Sequence, residues 1–297
     1  MLRVPGTLTL QDVSRDGRVL LSEDNAQMGS AALPPGETHE RNLSWFDWTL
    51  VSDLSADGRT IAFSETGEAV GSHYGVFLRK TDGSAAIRLG DGTFSSLSPD
   101  GKWVAAITNS SPTQIQLLPT GVGEPKLLTH DQLDHNRLTW LPDGKRILFT
   151  GGEPTRPPRI YLLDLADGKS RPITPEGVTS GPRISTDGTY VLAARDRQRW
   201  LYPIQGGEPR LLPGLDEGDV IVQWNDAGML VATRGVPTKI VRLDPTTGRR
   251  QGWKEIAPPD PAGIQSLPVI RFSADHQSYA YSYYRVLSDL YVVEGLK

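Results

Sequence analysis

The chain has 297 residues, 37% of them apolar and 22% charged, enough for a core that needs no covalent or metal staple, and this composition excludes a disordered polymer. Its 31 basic and 35 acidic residues are mixed along the chain to a net charge of −4, which leaves no cationic stripe for a phosphate backbone or an anionic lipid surface, so nucleic acid is excluded as a partner. With no cysteine, disulfides, thiolate metal sites and cysteine nucleophiles are excluded as well.

No apolar run approaches the roughly 18 residues of a membrane span, and the opening MLRVPGTLTLQDVSRDG lacks the apolar stretch of a signal peptide, so no membrane insertion is expected. The first predicted element is a short strand, Leu2-Arg3-Val4-Pro5-Gly6, whose pattern matches Arg210-Leu211-Leu212-Pro213-Gly214 further on. Then a phrase begins that returns seven times: SRDGRVLLS from Ser14, SADGRTIAFS from Ser55, SPDGKWVAAI from Ser98, LPDGKRILFT from Leu141, STDGTYVLAA from Ser185, WNDAGMLVAT from Trp224 and SADHQSYAYS from Ser273. Its aspartates, Asp16, Asp57, Asp100, Asp143, Asp187, Asp226 and Asp275, are spaced 41, 43, 43, 44, 39 and 49 residues apart. That period is the one expected of four-stranded propeller blades.

Each phrase reads as a tight hairpin. Asp at the third turn position and Gly at the fourth suit a type I turn closed by a left-handed glycine. The sixth copy delays its glycine to Gly228 and the seventh substitutes His276, so these turns are expected to be the least regular. The apolar triplet that follows each turn, such as Ile61-Ala62-Phe63 or Ile147-Leu148-Phe149, predicts a strand buried on both faces between neighbouring blades; in the first copy, Leu20-Leu21-Ser22, the last member is polar. A third strand is predicted over residues 75–80, 113–119, 159–165, 199–204, 239–244 and 289–293, and most weakly over 26–33. A fourth, proline-tolerant edge strand follows at 85–90, 125–130, 170–175, 209–214 and 252–257.

The seventh repeat stops after its third strand, and residues 2–6 supply a candidate fourth. The expectation is therefore an all-β, seven-bladed β-propeller of four-stranded antiparallel blades, closed by an amino-terminal strand that completes the last blade, with residues 1–297 forming one monomeric domain.

The phrases resemble the TolB-type, WD40-like repeat known as PD40, whose strand, S-P-D-G, strand hallmark stands intact at Ser98-Pro99-Asp100-Gly101. SWFDWTLVSDLSADGRTIAFSETGE, GVFLRKTDGSAAIRLGDG, LTHDQLDHNRLTWLPDGKRILFTG and LSDLYVVEGLK resemble the carboxy-terminal propeller region of bacterial, acidobacterial-type, eukaryotic-like serine/threonine kinases. The kinase signatures themselves are absent: no H-R-D loop, D-F-G, glycine-rich loop or A-P-E occurs. The resemblance implies a sensor or protein-interaction module in a periplasmic or other extracytoplasmic setting.

No catalytic constellation is legible. The histidines His39, His73, His130, His135 and His276 are scattered, with only His130-Asp131 and Asp134-His135 as a near pair, and no ligand spacing or G-x-S-x-G elbow occurs. The repeat aspartates read as turn residues. No cofactor, metal ligand or catalytic residue is assigned, and the chain is expected not to be an enzyme. A propeller instead offers its channel mouth, formed by the connections that enter each innermost strand. The candidate binding residues there are Asp47, Trp48, Asp91, Asp134, His135, Asn136, Ser180, Asp219 and Gln265, facing a protein or small-molecule ligand. Trp45, Phe46 and Trp48 form the densest aromatic cluster and are read as packing between blades. The alternative is a hydrolase or lyase acting on a sugar or peptide through the mouth carboxylates.

Overall fold

The computed structural model describes residues 6–46, 48–67, 70–226 and 228–294, and the side chains of all of these except residues 72 and 179–182. The chain begins with β1 (Thr7–Val13), β2 (Val19–Leu33) and the short β3 (Arg41–Asn42). Five four-stranded antiparallel sheets follow: β4 (Leu50–Leu54) to β5 (Thr60–Gly67), β6 (Gly71–Lys80) and β7 (Ile87–Asp91); β8 (Thr93–Leu97), β9 (Trp103–Ile107), β10 (Ile115–Pro119) and β11 (Lys126–Leu127); β12 (Asp134–Trp140), β13 (Arg146–Gly152), β14 (Arg159–Asp164) and β15 (Ser170–Pro172); β16 (Thr179–Ile184), β17 (Tyr190–Arg195), β18 (Gln198–Pro203) and β19 (Arg210–Leu211); β20 (Val220–Asn225), β21 (Gly228–Ala232), β22 (Thr238–Leu243) and β23 (Arg250–Ile256). The last strands, β24 (Ile264–Phe272) and β25 (Tyr279–Val293), join β2 and β1 in the order β1-β2-β25-β24, with β3 on β2.

The first strands of the sheets, β4, β8, β12, β16, β20 and β24, each touch the next, and β24 touches β4. Six apolar clusters fill the spaces between consecutive sheets among the described residues. Alternation along the second strand of each sheet supplies both neighbours. Val104 and Ala106 of β9 point into the cluster shared with Leu78, while Ala105 and Ile107 point into the one shared with Phe149. This is why the triplets of the middle copies are apolar throughout: Ile61, Ala62, Phe63, Ile147, Leu148 and Phe149 are wholly buried.

The turn chemistry follows the sequence reading. Gly17, Gly58, Gly101, Gly144 and Gly188 have φ between 65° and 82°, His276 takes 62°, and the delayed Gly228 sits at 120°. The aspartates are turn residues: Asp57, Asp100, Asp187 and Asp275 each accept the hydroxyl of the serine two residues earlier at 2.6 Å. That bond is the first reason their carboxyls lie below the ordinary range.

Seven blades were expected, and the described residues form six sheets. The first and seventh copies of the phrase share one sheet. No glycine or proline interrupts residues 279–293, so β25 runs straight through the turn that would have separated a third strand at 289–293. Residues 26–33 likewise continue β2. The two long strands pair from Val19↔Val293 to Leu33↔Tyr279, and Gly29 lets the ring of Tyr283 cross β2, since a Cβ there would lie 2.2 Å from it. The amino end thus closes the ring through β2, with β1 outermost. Of the strand expected over residues 2–6, residues 2–5 lie outside the described residues, and Gly6 donates its amide to Glu23 Oε1 at 3.2 Å.

Candidate functional site

The six innermost strands all carry a register shift against their neighbours: between Val51 and Asp53, Thr93 and Ser96, Asn136 and Leu138, Thr179 and Arg183, Ile221 and Gln223, and at two points of β24. A bulge adds local twist and re-aims side chains. Two bulge residues take left-handed backbone, Phe94 at φ 48° and Arg137 at φ 42°, and the Arg137 guanidinium lies 5.9 Å from the Phe94 ring centroid.

All six strands line a cavity of about 950 Å³ that opens on the face of the Asp-Gly hairpins; its wall includes Asp53, Leu97, Thr139, Arg183, Gln223 and Arg271. A second cavity of about 440 Å³ opens on the opposite face, among Gly218, Arg234, Thr238, Gln265 and Ser266. Arg183 and Arg271 line both, which places them at the waist of the channel, and Arg137 joins them from the second cavity.

The waist therefore gathers three guanidinium groups around one carboxylate. Asp53 is already engaged: Oδ1 accepts the Leu54 amide at 2.9 Å, and Oδ2 accepts the Ser96 hydroxyl and the Leu97 amide, both at 2.9 Å. Arg271 stitches the ring shut by donating Nε to Ser52 O at 3.0 Å. The Arg183 guanidinium makes no hydrogen bond or ion pair among the described residues, and its pKa is pushed down to about 9, first by the charge of Arg271 and then by loss of water. Arg271 is also lowered, chiefly by desolvation, with Asp53 opposing the change. Three guanidinium groups against one carboxylate leave net positive charge in a confined channel, which favours an anion placed among them.

The expected mouth residues are dispersed. Asp47 lies outside the described residues, and Ser180 belongs to β16 with its side chain outside them too. Trp48 is half-buried, its ring edge-on to Tyr284 and its amide on Glu65 Oε1 at 2.9 Å. Asp91 is exposed and paired with Arg88 at 2.5 Å. Asp134 and Asn136 are exposed at the start of β12, while His135 between them is buried, Nδ1 donating to Thr113 O at 2.7 Å and the ring 4.7 Å from Phe149. Asp219 is buried against Arg250 at 2.8 Å. Gln265 lines the smaller cavity, and the other described side chains of the set line neither. Trp45 and Phe46 are exposed, edge to face at 5.9 Å, with Arg79 over Trp45. No group of three or more His, Asp or Glu residues among those described is arranged to hold a metal ion.

The arginines were missed although the repeat marks them. The residue four places before the hairpin aspartate is Asp53, Ser96, Thr139, Arg183, Val222 and Arg271 in successive sheets. Aligning the repeats on that column, which faces or borders the channel, collects most of the waist.

No protein-family model and no curated protein matches this chain. Solved structures do. A protein assigned as TolB from Agrobacterium tumefaciens superposes with a TM-score of 0.65 at 17% identity, over 87% of this chain and 98% of its own. TolB from Acinetobacter baumannii gives 0.59 at 18%, over 77% of this chain and 64% of its own. An oligogalacturonate lyase from Vibrio parahaemolyticus gives 0.55 at 14%, over 92% and 78%. The expectation that this chain is not an enzyme is corrected by that match: the scaffold is shared with propellers that catalyse, and a fold hosts many functions. Among the described residues no helix is long and apolar enough to cross a membrane. The fold is a β-propeller like those of the TolB structures, and at these identities the likeness is one of fold.

Proposed function

We propose that this chain is a single-domain, ligand-recognising propeller that admits an anionic group of its ligand to the central channel, where Arg137, Arg183 and Arg271 receive it. The observation that carries this reading is the charge at the waist, with Asp53 as the one carboxylate and its oxygens already committed to Leu54, Ser96 and Leu97. Positive charge held at a cost in the free protein is relieved when an anion arrives, so part of the affinity is stored before binding. Gln265 stands at the opposite entrance, where a protein partner would meet the ring. As a recognition module of this kind, the chain would serve a receptor such as the kinases its phrases resemble, outside the cytoplasmic membrane.

The test uses inorganic phosphate as probe. At matched ionic strength, phosphate in place of chloride should raise the melting temperature of the wild type, as a ligand of the folded state must, and should leave Arg183→Gln unmoved. Equal responses of the two proteins would remove the channel from the explanation.

A further inference from the structure

The charge in the larger cavity is arranged by depth. At its floor are Arg183 and Arg271 with Asp53; above them the wall is apolar, formed by Leu54, Leu97, Trp140, Ile184, Val222 and Phe272; at its far side stand the hairpin carboxylates Asp57 and Asp100, and toward the sheet of β4 to β7 the cations Arg79, engaged by the carbonyls of Leu43, Gly83 and Ser84, and Lys80. Both carboxylates are held ionised by their serine partners. The apolar wall directly above the arginines suits a ligand with one anionic end followed by an apolar stretch, and Asp57 and Asp100 disfavour a second anionic group placed beside them.

Two polar groups sit near the floor without partners. The Thr139 hydroxyl and the Gln223 amide line the cavity and make no hydrogen bond among the described residues. A hydrocarbon acid would leave them unpaired when it expelled water; a peptide would meet them with its last amide groups. The cavity also continues past Leu78 to Ala85 and Ile87 on the sheet of β4 to β7, leaving a way out for a chain too long for the channel, and Ile87 is exposed there.

From this arrangement we infer that the ligand is a peptide carboxy-terminus: the terminal carboxylate lies between Arg183 and Arg271, an apolar last side chain packs against Leu97, Ile184 and Phe272, and the preceding residues leave over Leu78 and Ile87. The inference rests on the anion-binding reading above and adds the ligand class and the face of entry. No covalent step is involved.

The experiment is fluorescence anisotropy on the whole chain, with hexapeptides labelled at the amino end, mixed at the first five positions and ending in Leu, Phe, Asp or Lys, each made as free acid and as amide. Free acids ending in Leu or Phe should bind at least tenfold more tightly than their amides and than the Asp or Lys acids, and Arg183→Gln should abolish the difference. Arg183→Lys, which keeps the charge but loses the planar fork, should keep the preference for the acid at lower affinity, and it carries the test if Arg183→Gln does not fold. Equal binding of acid and amide, no binding of any peptide, or tighter binding of decanoate than of every peptide acid would each overturn the peptide assignment. If phosphate stabilisation still depends on Arg183 in those cases, the channel reading survives; if it does not, both fall.

Discussion

Replacing Arg183 by glutamine should make the ligand-free protein more stable. In the folded state the guanidinium stands beside Arg271 and is partly desolvated, and its pKa falls from the usual arginine range to about 9. At 1.36 kcal/mol per pH unit the fall bounds the cost of its charge at about 5 kcal/mol. Arg183 is only partly buried in an open channel, so counter-ions and water screen the repulsion and leave about 1–2 kcal/mol. The sign follows from proton linkage. For a base whose folded pKa is depressed, both states are protonated below about pH 9 and the cost is fully present at neutral pH; above it the unfolded chain holds the proton that the folded one releases, so stability climbs as the pH rises further. Arg183→Gln should therefore melt about 2 to 5 °C above the wild type at pH 7 in low-salt chloride. The gap should narrow as salt is added and as pH is raised past 9. Differential scanning calorimetry measures both. A variant that melts below the wild type in low salt would show that Arg183 holds the ring together, and the case for an anion seat at the waist would collapse.

Three further outcomes are expected. Glu65 is fully buried, accepts the Thr49 hydroxyl at 2.7 Å and the Trp48 amide, and has its pKa raised by desolvation, so stability should fall as pH climbs from 4.5 through the raised value; Glu65→Gln should flatten that fall in urea titrations, and an unchanged slope would refute the assignment. Arg250→Ala leaves Asp219 buried and unpaired and should cost about 2–4 kcal/mol by chemical denaturation, whereas Arg250→Ala combined with Asp219→Asn should recover part of the loss. Gly101→Ala has open space for its Cβ and pays only for φ +70°, about 1 kcal/mol, while Gly214→Ala would set its Cβ 2.3 Å from Gly248 O and should cost several times more; similar melting temperatures for the two would contradict the packing of that loop.

Much of the architecture was legible because each hairpin writes its geometry locally: a serine, an aspartate and a left-handed glycine, then an apolar triplet. The blade count was not, because pairing between distant strands leaves no local mark. The warning was present in residues. Ser22 breaks the apolar triplet of the first copy, residues 26–33 make the weakest third strand, and residues 279–293 contain nothing to turn the chain. Those irregularities coincide with the sheet that β2 and β25 share. The site escaped for a different reason. Connections between strands looked like the natural place for recognition, and His135 and Asp219 lie there, yet one packs on Phe149 and the other is neutralised by Arg250. Arg183 and Arg271 sit in the repeated column of the innermost strands, where a single copy reads as an ordinary surface residue; only the ring brings the copies face to face.

Because Val19 lies against Val293 and Leu33 against Tyr279, the seam between β2 and β25 joins segments far apart in the sequence. Sheets built from contiguous sequence can form while the chain is still leaving the ribosome, but the seam waits for β25, and until then the edge of β2 that faces away from β1 and β3 stands bare and prone to stray pairing. The annulus is thus assembled early and locked late, and cellular quality control would most readily detect a faulty molecule at that unlocked stage.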